Sequence, residues 1–287
     1  MDLSIIILSY NTKQLLKKCL DSIFAQTNNN LSFEVIVVDN NSTDGSIECV
    51  QKDFPQVKLI QNKENVGFGR ANNQAMKEAK GEWVLFFNSD CEVLDNATYK
   101  LLTFAKDKGE NSIYGGKLYN VDKTPQASAG KFYTLPVVVS SLFLKGDQLQ
   151  ITRSSPDTST ESDWVSGACL LMHKRVYEKV QGFDETIFMY MDEVDLCYRA
   201  KKLGIKTLFY PEAHFIHVGS ASSGDKREPY INMFSGLLYF YKKHWPDKLP
   251  YLKVLLKIKG QTAMFVGKLL NNQSLIENYK KALMKLD

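Results

Sequence analysis

The turn after the first apolar run reads Ser9-Tyr10-Asn11-Thr12-Lys13 and holds no glycine. A dinucleotide-binding GxGxxG turn is therefore absent, as is a Walker A loop, so any nucleotide has to be held by side chains. Long apolar runs are missing too. Ile5-Ile6-Ile7-Leu8 is too short for the apolar region of a signal peptide, and Asp2 stands where its basic region would be, so none is expected. The apolar island 135–144 contains two serines and is about half a membrane span. Cysteine is sparse: Cys19, Cys49, Cys91, Cys169 and Cys197 stand far apart with no CxxC spacing. Most fall in expected helices or strands, as reduced thiols of a cytoplasmic protein do. The net charge of +4 comes without a dense lysine-arginine run, which argues against nucleic acid as a partner. What remains is a globular composition, 44% hydrophobic and 24% charged over 287 residues. That is enough for one large domain or one domain with an appendage.

Residues 4–10, 33–39, 57–61 and 82–87 carry short apolar runs. Such runs mark strands buried on both faces, the habit of parallel sheets. Between them the pattern predicts helices. The first is capped by Asn11 or Thr12, with Leu15, Leu16, Cys19, Leu20 and Ile23 on one face. The second covers 45–54 and is stopped by Pro55, and the third runs from the Asn65–Asn73 stretch to Lys80 with Gly81 as its cap. Strand, helix, strand at this spacing implies right-handed crossovers and an α/β, Rossmann-like, doubly wound, mostly parallel sheet. Beyond Asp90 the sequence predicts a helix over 97–108 and a strand over 113–118. An irregular stretch, 119–162, follows, of a length usually functional or mobile. A strand over 164–172, a helix from Lys174, an acid-led helix over 192–203 and strand signals at 206–210 and 214–217 complete this part. From Pro229 the chain reads as helical.

Two strands run into an aspartate where the backbone turns: Val38-Asp39-Asn40-Asn41 and Phe87-Asn88-Ser89-Asp90. The carboxyl ends of such strands line the crevice where open α/β sheets bind ligands. Either aspartate alone is equally a turn residue; the two together favour a site. A divalent ion on a diphosphate takes one or two carboxylates plus phosphate oxygens. Asp90 and His217 offer a carboxylate and an imidazole, a set that suits manganese better than magnesium. A lone histidine near a strand end is often structural. Asp192-Glu193-Val194-Asp195 opens a helix, where acids favour the dipole. Three carboxylates that close also repel, which raises a pKa towards that of a general base. Asp192 and Asp195 share a helix face, and Glu193 points about 100° away.

Further pieces are Asn65-Val66-Gly67-Phe68 with Asn72-Asn73, Gly167-Ala168, Gly182-Phe183-Asp184-Glu185, Cys197-Tyr198-Arg199 and His214 to Gly219. In their joint order and spacing, over roughly residues 3–245, all these motifs resemble the inverting glycosyltransferases of family 2, of GT-A fold, and especially their rhamnosyltransferase-like members. The resemblance implies that Asp39 binds the nucleoside, with Tyr10, Asn65 and Arg70 beside it. It implies that Asp90 ends a DxD-like metal motif in which Asn88 replaces the first aspartate, and that Mn or Mg is the cofactor, with His217 the second ligand. By position Glu193 takes the role of base, with Asp192 the second choice. Gly167, Ala168, Asp195 and Arg199 are placed at the acceptor or diphosphate, and residues 220–224 form a lid.

The implied organisation is a GT-A catalytic domain over 1–228, with a nucleotide-binding half 1–118 and an acceptor half 119–228, then a helical C-terminal extension, 229–287. The implied reaction moves a sugar, rhamnose among the candidates, from a nucleoside-diphosphate sugar to a glycan or lipid-linked acceptor in cell-surface polysaccharide synthesis. The stretch 249–270 mixes apolar residues with Lys253, Lys257, Lys259 and Lys268. It fits a packing helix or one lying on an anionic membrane, which would make the protein peripheral at the inner face of the cell membrane. The alternative is a catalytically silent nucleotide- or glycan-binding module of the same fold.

Overall fold

Strands β1 (Leu3–Ser9), β2 (Phe33–Asp39) and β4 (Trp83–Asn88) carry continuous apolar centres because both of their faces are covered. Ile6, Ile36, Val38, Val84 and Phe86 enter one buried cluster; Ile5, Ile7, Val35, Val37, Leu85 and Phe87 enter another. This is the period-two geometry of a strand serving two cores. The computed structural model describes residues 1–27, 30–219 and 228–286. With the edge strand β3 (Lys58–Gln61) these strands form a parallel run ordered β4-β1-β2-β3. Helices α1 (Lys13–Gln26), α2 (Ser46–Asp53) and α4 (Ala97–Lys108) pack on one face, and α3 (Phe68–Met76) on the other. The doubly wound α/β expectation is met. Helix α3 ends at Met76, short of Lys80. Gly81 is no cap: a Cβ there would lie 2.3 Å from the Ser4 amide nitrogen, so glycine lets the chain pass close against β1.

The sheet continues through β5 (Cys91–Val93), β6 (Ser112–Tyr119), β12 (Cys169–His173) and β13 (Lys206–His217). Strand β12 is antiparallel between β4 and β6, and β13 is parallel to β6. The expected strand over 164–172 is broken at Ser166, whose side chain accepts from the Ala168 N–H. Its first part, β11 (Trp164–Val165), joins β8 (Ala129–Gly130) and β9 (Arg153–Ser154) in a separate three-stranded sheet. The stretch read as irregular also holds β7 (Pro125–Gln126), α5 (Leu135–Phe143) and β10 (Thr160–Ser162). The signals at 206–210 and 214–217 belong to one strand, β13, with a register shift between Tyr210 and His214. The five cysteines are free and buried.

Helices α6 (Lys174–Lys179), α7 (Asp192–Lys202), α8 (Glu228–His244), α9 (Leu249–Leu269) and α10 (Gln273–Leu283) complete the chain. Val194 and Leu196 of α7, Phe240 and Tyr241 of α8, Leu252 and Leu256 of α9 and Tyr279 of α10 lie in one buried cluster. The sequence changes character near residue 229, but packing crosses that point, and the last three helices share a core with α7. Among the described residues no helix is long and apolar enough to cross a membrane.

Candidate active site

Asp39 is opposite Ser9 in the β1–β2 register, and Asn88 is opposite Leu8 in the β1–β4 register. The two expected ligand-binding ends therefore flank β1 at the same level, about 10 Å apart at ordinary strand spacing. Asp39 is 1% exposed. Its Oδ1 accepts the Ser42 N–H at 2.7 Å, while Oδ2 is buried with no partner. A buried carboxylate oxygen without a donor is unfavourable, so this atom is poised to accept from a ligand. Around it the loops are pinned. Asp44 accepts the first N–H of α1 (Lys13, 2.7 Å) and that of α2 (Ser46, 3.0 Å), so one side chain caps two helices. Tyr10 is half-buried directly after Ser9.

Asn65 belongs to a network that the sequence reading placed only in part. The Asn40 side-chain amide donates to Asn65 Oδ1 at 2.9 Å, and Asn65 Oδ1 also accepts the Gly67 N–H at 3.1 Å. Asn62 donates to Asn40 Oδ1 at 2.8 Å. Gly67 has φ +84°, and a Cβ there would lie 2.6 Å from the Phe188 carbonyl oxygen. Glycine is thus required twice, for the left-handed backbone and for the close approach. The approach brings the loop at Asn65 to the segment that leads into α7. Arg70 is exposed and pairs with Glu185 at 3.2 Å, a surface pair of small energy.

Asp90 is 7% exposed; its Oδ2 accepts the Gly219 N–H at 2.9 Å, and its Oδ1 lies 3.4 Å from His217 Nε2. His217 Nδ1 lies 2.6 Å from Gln126 Oε1. An amide oxygen only accepts, so Nδ1 donates to it and the ring is turned with Nε2 towards Asp90. Such outer-partner orientation is typical of a metal-ligating histidine. Cys91 Sγ is near enough to join these two groups, but burial pushes its thiol well above the usual range. The carboxylate of Asp90 and the imidazole of His217 are a donor set that fits a hard divalent ion such as manganese, which prefers oxygen and nitrogen to sulfur. The Asn88 N–H donates to the Ala168 carbonyl at 3.1 Å, which ties this corner to the Gly167–Ala168 turn.

Helix α7 starts from two consecutive left-handed residues, Tyr190 (φ 66°) and Met191 (φ 72°). Such backbone strain of about 1–3 kcal/mol per residue is held at functional sites by the surrounding structure. Here the holder is α8. A Cβ on Gly236 would lie 2.9 Å from both Met191 Cγ and the Tyr190 carbonyl oxygen, so only glycine allows the contact. Asp192 is 2% exposed with Oδ1 unpartnered; burial, then the Glu193 charge, push its carboxyl well above the usual range. Glu193 is partly exposed. Burial raises its pKa too, opposed by N–H groups of the α7 start and Gly167 and by the Arg153 charge. A Cβ built on Gly167 would lie 3.5 Å from the Phe68 ring and 3.6 Å from Glu193 Cβ. The Asn65 loop, the Gly167 turn and the acid pair thus converge. Asp192 is the enclosed member of the pair and Glu193 the partly exposed one.

Asp195 and Arg199 lie elsewhere in function. Asp195 is fully buried and accepts from Arg199 Nε (2.7 Å), Lys243 Nζ (2.8 Å) and His244 Nε2 (2.7 Å). Arg199 also donates to the Val180 and Gly182 carbonyls. With its donors committed inside the protein, this pair anchors α7 to α8 and is not free for a diphosphate or acceptor. Sequence reasoning missed Gln126, Arg153, Lys243 and His244; each acts across 40 or more residues, a range at which spacing carries no signal. The lid expected over 220–224 lies outside the described residues.

The model of Glycosyl transferase family 2 matches residues 4–180, more than half of the chain. The chain belongs to glycosyltransferase family 2. This family 2 glycosyltransferase is similar to an N-acetylglucosaminyl-diphospho-decaprenol L-rhamnosyltransferase of Mycobacterium tuberculosis, with 27% identity over 79% of this chain and 78% of that one. It is also similar to the rhamnosyltransferase WbbL of Escherichia coli K12, with 26% identity over 74% and 82%. Among solved structures it is similar to the mannosyltransferase PcManGT of Pyrobaculum calidifontis in complex with GDP-Man and Mn2+, at TM-score 0.59 and 17% identity. That match covers 98% of this chain and 74% of the other. GalNAc-T7 with UDP, GalNAc and Mn2+ matches at TM-score 0.63 and 14% identity, over 98% and 54%. These structures establish the GT-A fold.

Proposed function

We propose that this glycosyltransferase, a hexosyltransferase by type, moves a sugar from a nucleoside-diphosphate donor to a lipid-linked glycan with inversion, in cell-surface polysaccharide synthesis. Rhamnose is the first sugar to test, because two relatives are named rhamnosyltransferases. The name of one of them also describes a diphospho-lipid acceptor, which would place the enzyme peripherally at the cytoplasmic face of the membrane. The observation that carries the reading is the pair of strand ends flanking β1. One presents the unpaired Asp39 oxygen and the other the Asp90–His217 pair, with Glu193 reached through Gly167.

In this reading Asp39 Oδ2 accepts a hydroxyl or N–H of the nucleoside, and the Asn40–Asn65 network holds the loop beside it. Tyr10 has a place next to the base. Asp90 and His217 would hold a divalent ion, manganese before magnesium, which would supply positive charge against the departing diphosphate. Glu193 takes the proton of the acceptor hydroxyl as its oxygen bonds to the anomeric carbon and the bond to the diphosphate breaks. Attack from the opposite face inverts the anomeric configuration. A silent binding module would bind nucleotide and release none.

The test is a screen of dTDP-, UDP- and GDP-sugars with a polyprenyl-diphosphate-linked N-acetylhexosamine, with and without Mn2+. Metal-dependent release of nucleoside diphosphate, with an inverted linkage by NMR, is expected. Tight nucleotide binding without turnover on any donor would overturn the enzymatic reading in favour of the silent module.

A further inference from the structure

Helix α9 buries Leu252, Leu256, Gly260 and Gly267 and leaves a second apolar stripe outside. Tyr251, Val254, Ile258, Phe265 and Leu269 are 47–68% exposed. At 100° per residue these five fall within an arc of about 60°, along some 27 Å of helix. Lys257 and Lys268 lie within about 60° of one border of the stripe and Lys253 turns further towards the buried face; none of the three pairs with a carboxylate among the described residues. On the other side α5 packs against α9, where Lys259 Nζ donates to the Leu142 carbonyl at 2.7 Å and lies 5.9 Å from the Phe143 ring centre. Phe143, Leu144, Leu149 and Ile151 beyond it are exposed. The apolar area is therefore more extended than the scattered single residues of an ordinary surface.

Charge singles out one occupant. Residues 249–287 hold seven lysines against Glu277 and Asp287, a net +5, while the whole chain carries +4. All of the net positive charge thus sits on the segment that carries the stripe. An apolar stripe flanked by lysines, on a helix whose opposite face is buried against α8 and α10, is the form of an interfacial helix.

We propose that the outer stripe of α9, continued by the surface from Phe143 to Ile151, docks on an anionic lipid bilayer. The proposal rests on the reading of a lipid-linked acceptor and adds the face that meets the lipid. Ile151 also lines a cleft of about 500 Å³ that holds Arg153. The Arg153 charge reaches Glu193. Docking on this face brings Ile151, one wall of that cleft, towards the lipid headgroups.

Flotation of the full chain with vesicles of 30% phosphatidylglycerol in phosphatidylcholine tests this, at low and high salt, against pure phosphatidylcholine. The wild type is expected to float with anionic vesicles at low salt, less at high salt. Ile258→Glu with Phe265→Glu should weaken partitioning at least tenfold with an unchanged melting temperature, since both side chains are exposed. Replacing Lys253, Lys257 and Lys268 by Gln should remove most of the salt dependence. Release of nucleoside diphosphate from donor in vesicle-free buffer should be unchanged in both variants, which separates this proposal from failure of the donor reading. Failure of the wild type to float at low salt, or equal flotation of the double variant, overturns it. So does a wild-type dimer in solution that Phe265→Glu converts to monomer, because a second copy would then cover the face.

Discussion

Replacing Asp39 by Asn tests the nucleotide site at its narrowest point. The carboxylate is 1% exposed, one oxygen is satisfied by the Ser42 N–H at 2.7 Å and the other has no partner. Asparagine can keep the first bond through its oxygen. It then presents an NH2 where Oδ2 stood, and an NH2 cannot accept from a ribose hydroxyl or a base N–H. The loss is one charge-assisted hydrogen bond, about 1.5–3 kcal/mol. At about 1.4 kcal/mol per decade this weakens Kd roughly 10- to 150-fold. The free protein should not suffer, because removing an unpaired buried carboxylate oxygen removes an unfavourable desolvation term. The expected pattern is an unchanged or raised melting temperature with much weaker binding of UDP, dTDP or GDP by calorimetry in Mn2+. An unchanged Kd for the nucleotide that the wild type binds best would refute the reasoning. So would a collapse of the melting temperature, which would make Asp39 a fold residue.

Glu193→Gln should keep donor affinity and lower turnover by roughly 100-fold or more; the same pattern in Asp192→Asn with an active Glu193→Gln would exchange their roles. A base works deprotonated, and burial holds Glu193 above the ordinary 4.5, so the acid limb of kcat should sit above that value. Arg153→Gln removes a charge that holds it down, so the pH–rate profile should show that limb move to higher pH. His217→Ala should raise the Mn2+ concentration needed for half-maximal turnover by at least tenfold, measured with donor saturating. In Asp195, burial pushes the carboxyl up, but the His244 bond, the Arg199 charge and the Lys243 bond hold it below 3.8. Its stabilisation is therefore present above pH 4 and lost as pH falls below it. Asp195→Asn should lower stability at pH 7 by about 3–5 kcal/mol in urea melts, with the gap to wild type closing in acid.

The parallel run and its two aspartates were legible because each strand needs two cores, and a continuous apolar run records that directly. The antiparallel insertion of β12 was not, since a strand buried on both faces reads alike in either direction. Asp195 and Arg199 show the opposite failure. Their spacing of four residues on one helix face is the same for a substrate clamp and for an internal ion pair. Only Lys243 and His244, almost fifty residues further along, decide between them.

That late arrival has a consequence for how the protein is made. The strands that carry Asp39 and Asp90 leave the ribosome early, and the acid helix follows. The Lys243 and His244 side chains that lock Asp195 are synthesised 48 and 49 residues after it, several seconds later at ordinary elongation rates. Through that interval a nascent chain has the strands that lead to Asp39 and Asp90 in hand but no clamp on the helix of the acid pair. Only a finished chain then has the helix of the acid pair fixed in place.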